Sequence, residues 1–496
     1  MKGPAIPLSR RAFLAAATAS VASEALATPL ARSPRPVARP ELARRAVALD
    51  RLLADARLSG KIGLAVADAR TGEMLEVHNP LLGLPPASVT KAGTAFYALE
   101  ALGPDHRFET RVIATGPVRS GRIQGDLVLV GGGDPTLDTD MLGDLVAKLT
   151  AAGIRGVTGR FLYHSGALPE LAAIDPGQPD HAGYNPAISG LNLNFNRVHF
   201  EWRRNGTGYA VTMDARARRY RPEVGVARMR VVQRAAPVYT YSSMGGVDEW
   251  TVAQGALGNG GARWLPVRRP ALYCAEVFHT LARAQGLRLP DPRPAPAPPR
   301  GALLAHHLSA PLSEILRAML KYSTNLTAET VGLAATLARG GQPTGLAASG
   351  QAMTEWIAAR VGTRRARFVD HSGLSDASRI SAAEMVRLLV AVGPDGPLNP
   401  LMKDIPIRDA NGKVMSGHPV KVRAKTGTLN FVSALAGYAT GPDGRDLAFA
   451  IFTADEDRRA RLTVAQRDRP PGGRAWIGRS RTLQRALVAR WGLLYG

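Results

Sequence analysis

The chain has 496 residues, 45% hydrophobic and 21% charged, with a formal net charge of +23. This describes a globular protein with a real core, too long for one ordinary domain. Its single cysteine, Cys274, excludes an internal disulfide framework. The positive charge suits a polyanion such as nucleic acid, anionic lipid or an acidic wall polymer. It equally fits a surface of an Arg- and Ala-rich chain with no such partner. The arginines are scattered apart from a denser run at 202–234, without the aromatic interleaving of a nucleic-acid module. No nucleic-acid partner is expected.

Residues 1–27 combine a basic start, an apolar run from Ala12 to Ala22 and a small-residue site at Ala25-Leu26-Ala27. That is the layout of a secretory signal peptide. Ser9-Arg10-Arg11-Ala12-Phe13-Leu14 also resembles a twin-arginine export signal. No other stretch approaches the apolar length of about 20 residues that spans a bilayer, so an exported, periplasmic chain without an integral membrane segment is expected. Residues 29–40, rich in Pro and Arg, read as a linker, and 41–58 carry apolar residues at helical spacing. Residues 61–79 give two strand-like runs around Arg70-Thr71-Gly72, hence a hairpin. A helix is predicted from about residue 88 to Gly103-Pro104.

From residue 108 the texture changes. A strand, a glycine turn and a helix are predicted over 122–153, with Pro135 opening the helix. The Gly131-Gly132-Gly133-Asp134-Pro135 run lacks the spacing of a phosphate loop. Residues 200–265 read as a small β-rich unit, Cys274 lies on an amphipathic helix, and 289–301 read as a Pro-rich linker. Helices follow at 311–340, 345–361 and 381–392, then strands around 420–453. A last helix at 475–491 is expected to turn Ile477, Leu483 and Leu487 to the core.

Three short motifs carry chemistry. Ser88 and Lys91 stand three apart on a helix and share a face. A serine hydroxyl is a poor nucleophile until a base takes its proton. Arginine never deprotonates at working pH, whereas lysine does once burial pulls it down from about 10.4. Only nine of the 63 basic residues are lysine, and of these only Lys91 has a serine three places before it. Ser323-Thr324-Asn325 lies in a helical region. Lys425-Thr426-Gly427 lies on a predicted strand, where a lysine and a hydroxyl can hold a carboxylate and the glycine lets a substrate backbone lie close. Ser-x-x-Lys, Ser-x-Asn and Lys-Thr-Gly in this order are the set carried by penicillin-recognising serine enzymes.

On these motifs the chain resembles the D-alanyl-D-alanine carboxypeptidases of the penicillin-binding protein 4 type, peptidase family S13. The gap of 235 residues from 88 to 323 matches that type, which carries an inserted domain there with another nested in it. The stretches GGGDPTL (131–137), GLNLNFNRV (190–198), HSGLS (371–375) and AKTGTL (424–429) are similar to family landmarks. The resemblance implies an α/β (α+β) fold: a penicillin-binding, β-lactamase-like domain whose antiparallel sheet is flanked by helices. That domain would span 28–107 and 297–496, the insert 108–296, and the nested β-rich unit about 200–265. It also implies Ser88 as acylated nucleophile, Lys91 as base, Ser323 and Asn325 as proton relay and substrate guide, and Lys425 on the substrate carboxylate. Thr426, Gly427 and Thr428 would bind substrate, and the N–H groups of Ser88 and Thr428 would form an oxyanion hole. Peptidoglycan peptides and β-lactams are the implied ligands, and no metal or organic cofactor is implied. Two departures bear on side-chain preference. Phe195 stands where the family often has an acidic residue, and His371 and Asp376 replace its glycine and arginine.

Other readings fit less well. Asp370-His371-Ser372 are adjacent, whereas triad members converge from separate segments. A β-lactamase would need a water-activating glutamate, and Glu201, four before Asn205, lies in an arginine-rich strand-like stretch. A catalytically silent wall-binding protein would not need all three motifs intact.

Overall fold

The computed structural model describes residues 47–409 and 412–496. The expected signal peptide, the linker at 29–40 and the start of the first helix lie outside them. The predicted hairpin forms: Lys61–Asp68 pairs antiparallel with Met74–His78, and Asp68 Oδ1 accepts from the N–H groups of Arg70 and Thr71. The first of these strands enters a six-stranded antiparallel sheet. Its order is Lys403–Asp404, Lys421–Leu429, Val432–Thr440, Asp446–Ala454, Lys61–Asp68, Met74–His78.

Both faces of this sheet are covered, so its central strands read as unbroken apolar runs. Period-2 alternation then sorts them by size. Ala65, Ala67, Ala434, Ala436, Ala448 and Ala450 face a helical layer, and the short side chains let helix Thr90–Leu102 and its neighbours pack close. Leu64, Val66, Leu435, Phe449 and Ile451 face helix Gly473–Leu494. On that helix Leu483 and Leu487 meet the core as expected. Ile477 does not: it shares a helix face with Arg474 and Arg481 and lines the cleft described below, while Trp476 beside it is buried.

The helix expected over 311–340 is two helices, Leu312–Tyr322 and Asn325–Ala338. Ser323 breaks them in the left-handed region at φ 60°, and Thr324 is extended. The Ser-x-Asn motif therefore sits at a corner, not inside a helix.

Between the first two motifs lies a five-stranded sheet in the order Pro292–Pro294, Phe161–His164, Leu127–Val130, Glu109–Ala114, Ala302–Leu308. The Pro-rich stretch expected to be a linker thus supplies an edge strand, where a missing N–H is tolerated. This sheet also runs past residue 296. Helix Thr139–Ala151 is capped by Asp138, whose side chain accepts from Met141 N–H, and not by Pro135. The strands from Arg197–Asn205 to Gly260–Pro266 form two three-stranded sheets. They share one core with helices Thr139–Ala151 and Pro270–Ala284: Phe200, Trp250 and Leu265 pack with Leu142, Leu145 and Phe278. Cys274 is buried within it. No helix among the described residues is long and apolar enough to cross a membrane.

Candidate active site

Ser88 lies in the short helical turn Ala87–Val89 that leads into helix Thr90–Leu102. Lys91, one turn on, is fully buried and reaches back, its Nζ 3.0 Å from Ser88 Oγ. The same Nζ donates to Asn325 Oδ1 at 2.8 Å and to the Ser372 carbonyl at 2.7 Å. Burial pulls its ammonium down to about 8, against the opposing pull of Glu329 and Asp370. The second corner of the site is Ser323, which accepts from Lys425 Nζ at 3.0 Å. Lys425 is only 1% exposed and also donates to the Thr426 carbonyl. Burial first, then Lys91 and Lys403, hold its ammonium well below the usual lysine range. The five side chains thus meet in two hydrogen-bonded groups, Ser88–Lys91–Asn325 and Ser323–Lys425, and the charge of Lys91 is felt at Lys425.

The strand Lys421–Leu429 buries Lys425 and Gly427 on one side and exposes Thr426 and Thr428 on the other. The space that Gly427 leaves is taken by the protein itself. A Cβ there would lie 2.6 Å from the Pro86 carbonyl and 3.1 Å from Ser88 N. The glycine expected to admit a substrate backbone instead admits the serine turn.

Sequence reasoning missed Glu329. It sits one turn beyond Asn325 on the same helix face, a spacing that was the available signal. Its buried carboxylate accepts from the N–H groups of His371 and Ser372, fixing the carbonyl that receives Lys91. Burial pushes it up to about 8. Asp370, pushed up to about 6 by burial, accepts from the N–H groups of Gly373 and Ser375. His371 Nε2 bonds Ser349 Oγ at 2.7 Å, so Asp370, His371 and Ser372 form no triad. Tyr184, also missed, offers its carbonyl to Asn325 Nδ2 at 2.9 Å. That contact joins the segment between the motifs to the site.

Ser88, Ser323, Asn325 and Thr428 open into a cleft of about 1070 Å³ that Arg467, Asp468, Arg469, Arg474 and Arg481 also line. Phe195, at φ 56°, packs with Leu326 and Leu374 beside it, and the Arg197 guanidinium lies over its ring. Asp376 is paired with Arg459.

The D-Ala-D-Ala carboxypeptidase 3 (S13) family profile matches residues 45–468. The chain belongs to the S13 family. Among S13 relatives, it is 31% identical over 448 residues to a D-alanyl-D-alanine carboxypeptidase of Actinomadura sp. (strain R39), covering 84% of this chain and 82% of that one. A Mycobacterium tuberculosis carboxypeptidase is 27% identical, over 79% of this chain and 76% of its own. The crystal structure of penicillin binding protein 4 from Haemophilus influenzae has the same fold, with a TM-score of 0.69 at 21% identity. The match covers 89% of this chain and 99% of that one. The S13 assignment makes this chain a serine-type D-Ala-D-Ala carboxypeptidase, as its three motifs imply.

Proposed function

We propose that the cleft cleaves the terminal D-Ala-D-Ala bond of peptidoglycan stem peptides through an acyl-enzyme on Ser88. The observation that carries this reading is the Lys91 amine, buried, pulled down to about 8 and 3.0 Å from Ser88 Oγ. Neutral Lys91 accepts the serine proton as Oγ attacks the carbonyl carbon of the penultimate D-Ala. The N–H groups of Ser88 and Thr428 receive the oxyanion, a contribution of about 3–4 kcal/mol per donor in comparable sites. The C–N bond breaks as Ser323 passes a proton to the departing amine, with Lys425 behind it and Asn325 guiding the peptide. Water then hydrolyses the ester with Lys91 again as base. Thr426 and Thr428 offer hydroxyls to the leaving residue, and Gly427 keeps the strand against the serine turn. No step calls for a metal or organic cofactor.

The same acyl-enzyme would form on D-Ala-diaminopimelate cross-links, and a β-lactam would be trapped at the same oxygen. The Haemophilus relative has been solved in complex with a β-lactam. The basic start and apolar run of residues 1–27 support twin-arginine export to the periplasm. Phe195 and the Asp376–Arg459 pair favour a different third-residue side chain from the family's usual one.

Labelled penicillin tests the reading. A stable covalent adduct is expected on the wild type and none on Ser88→Ala. No adduct on the wild type would leave a wall-binding protein, and rapid turnover a β-lactamase. Mass spectrometry of muropeptides before and after incubation then separates carboxypeptidase from endopeptidase cleavage.

A further inference from the structure

Side chains alternate sides along a strand, and on Lys421–Leu429 this divides the positive charge from the hydroxyls. Lys425 turns inward, its Nζ taken by Ser323 Oγ and the Thr426 carbonyl. Thr426 and Thr428 are exposed on the opposite side. There the charge nearest the Thr428 hydroxyl is Arg481, whose Nη2 donates to Thr428 Oγ1 at 3.3 Å.

Arg481 belongs to helix Gly473–Leu494, which turns Arg474, Gly478 and Arg481 to the cleft at i, i+4 and i+7. Among the described residues neither arginine has an acidic partner. Arg485, one turn on, is disfavoured by burial and then by Arg408 and Arg481, and the carboxylate that lines the same cleft, Asp468, lies 3.8 Å from His181. Gly478 is the second signal. A Cβ there would meet no atom within 4 Å, so packing does not require the glycine, which is a poor helix former. Its lack of a side chain leaves open room between two unpaired guanidinium groups, beside Ser88 and Thr428.

We propose that Arg481, supported by Arg474, is the charge that holds the free C-terminal carboxylate of the substrate peptide against the Thr428 hydroxyl. Lys425 then serves Ser323 and not the carboxylate. The cleft selects peptides ending in a free acid, and the terminal helix sets that selection. This assignment rests on the carboxypeptidase reading above.

The test uses the full enzyme with an acyl-D-Ala-D-Ala peptide and its C-terminal amide, the amide measured as alternative substrate or competitor. With Arg481→Gln, KM for the acid should rise about tenfold or more while kcat stays within about threefold. Binding of the amide should stay unchanged, Arg481→Lys should recover part of the loss, and Arg474→Gln should show the same pattern more weakly. Equal weakening of acid and amide would overturn the proposal, as a merely structural arginine affects both. So would an unchanged KM for the acid in an enzyme that still cleaves it. If the wild type cleaves neither peptide and takes no penicillin, the carboxypeptidase reading itself fails, and this assignment with it.

Discussion

At the residue scale the decisive group is Lys91. Its burial lowers the ammonium to about 8, while Glu329 and Asp370 pull the other way. In the proposed mechanism acylation needs the neutral amine, so its rate should rise as pH passes through about 8. Glu329→Gln removes one of the opposing carboxylates, lowers the Lys91 value further and should move this rising limb to lower pH. The pH profile of single-turnover penicillin acylation measures it. A limb that moves up would mean that Lys91 is not the titrating base, and one that stays fixed that Glu329 is already neutral where Lys91 titrates. The same substitution leaves only one acceptor oxygen for two N–H groups, His371 and Ser372, so a slower plateau should accompany the shift.

At the scale of elements, the site is held by close approaches between segments. Helix Asn325–Ala338 meets the loop at 370–375 where Gly332 faces the His371 ring; a Cβ at Gly332 would lie 2.1 Å from that ring. His371 is fixed there by Ser349 and stacks on Tyr97. Gly332→Ala should therefore cost about 1–3 kcal/mol in urea unfolding, the usual price of overpacking. In a His371→Gly background the same change should cost nothing or stabilise, because alanine is the better helix former. A double-mutant cycle measures the coupling. Additive effects would show that the helix and the loop do not depend on this contact.

At the scale of the molecule, the first and last parts of the chain close one sheet. Trp491, on the terminal helix, is fully buried against Phe449 and donates from Nε1 to Glu76 on the second strand at 2.6 Å. Trp491→Ala should lower stability by about 3–5 kcal/mol, read as a lower unfolding midpoint. The active-site cleft should suffer too, since the same helix carries Arg474 and Arg481 to its wall. A small loss, or a loss of stability without loss of activity, would separate the core face of this helix from its cleft face.

The sequence by itself determined the chemistry and most of the elements. A serine and a lysine one turn apart are neighbours on any helix, a hairpin follows from alternation around a turn, and three motifs in one order name a family. These are local regularities, repeated wherever the backbone period repeats. It did not determine which partners meet across long separations. The corner at Ser323, the edge strand at Pro292–Pro294, and the carboxylates of Glu329 and Asp370 behind Lys91 follow from segments far apart in the chain. So do the inward turn of Lys425 and the contact of Arg481 with the Thr428 hydroxyl. Burial and charge at a point depend on everything packed around it, and only the tertiary structure assembles that surrounding.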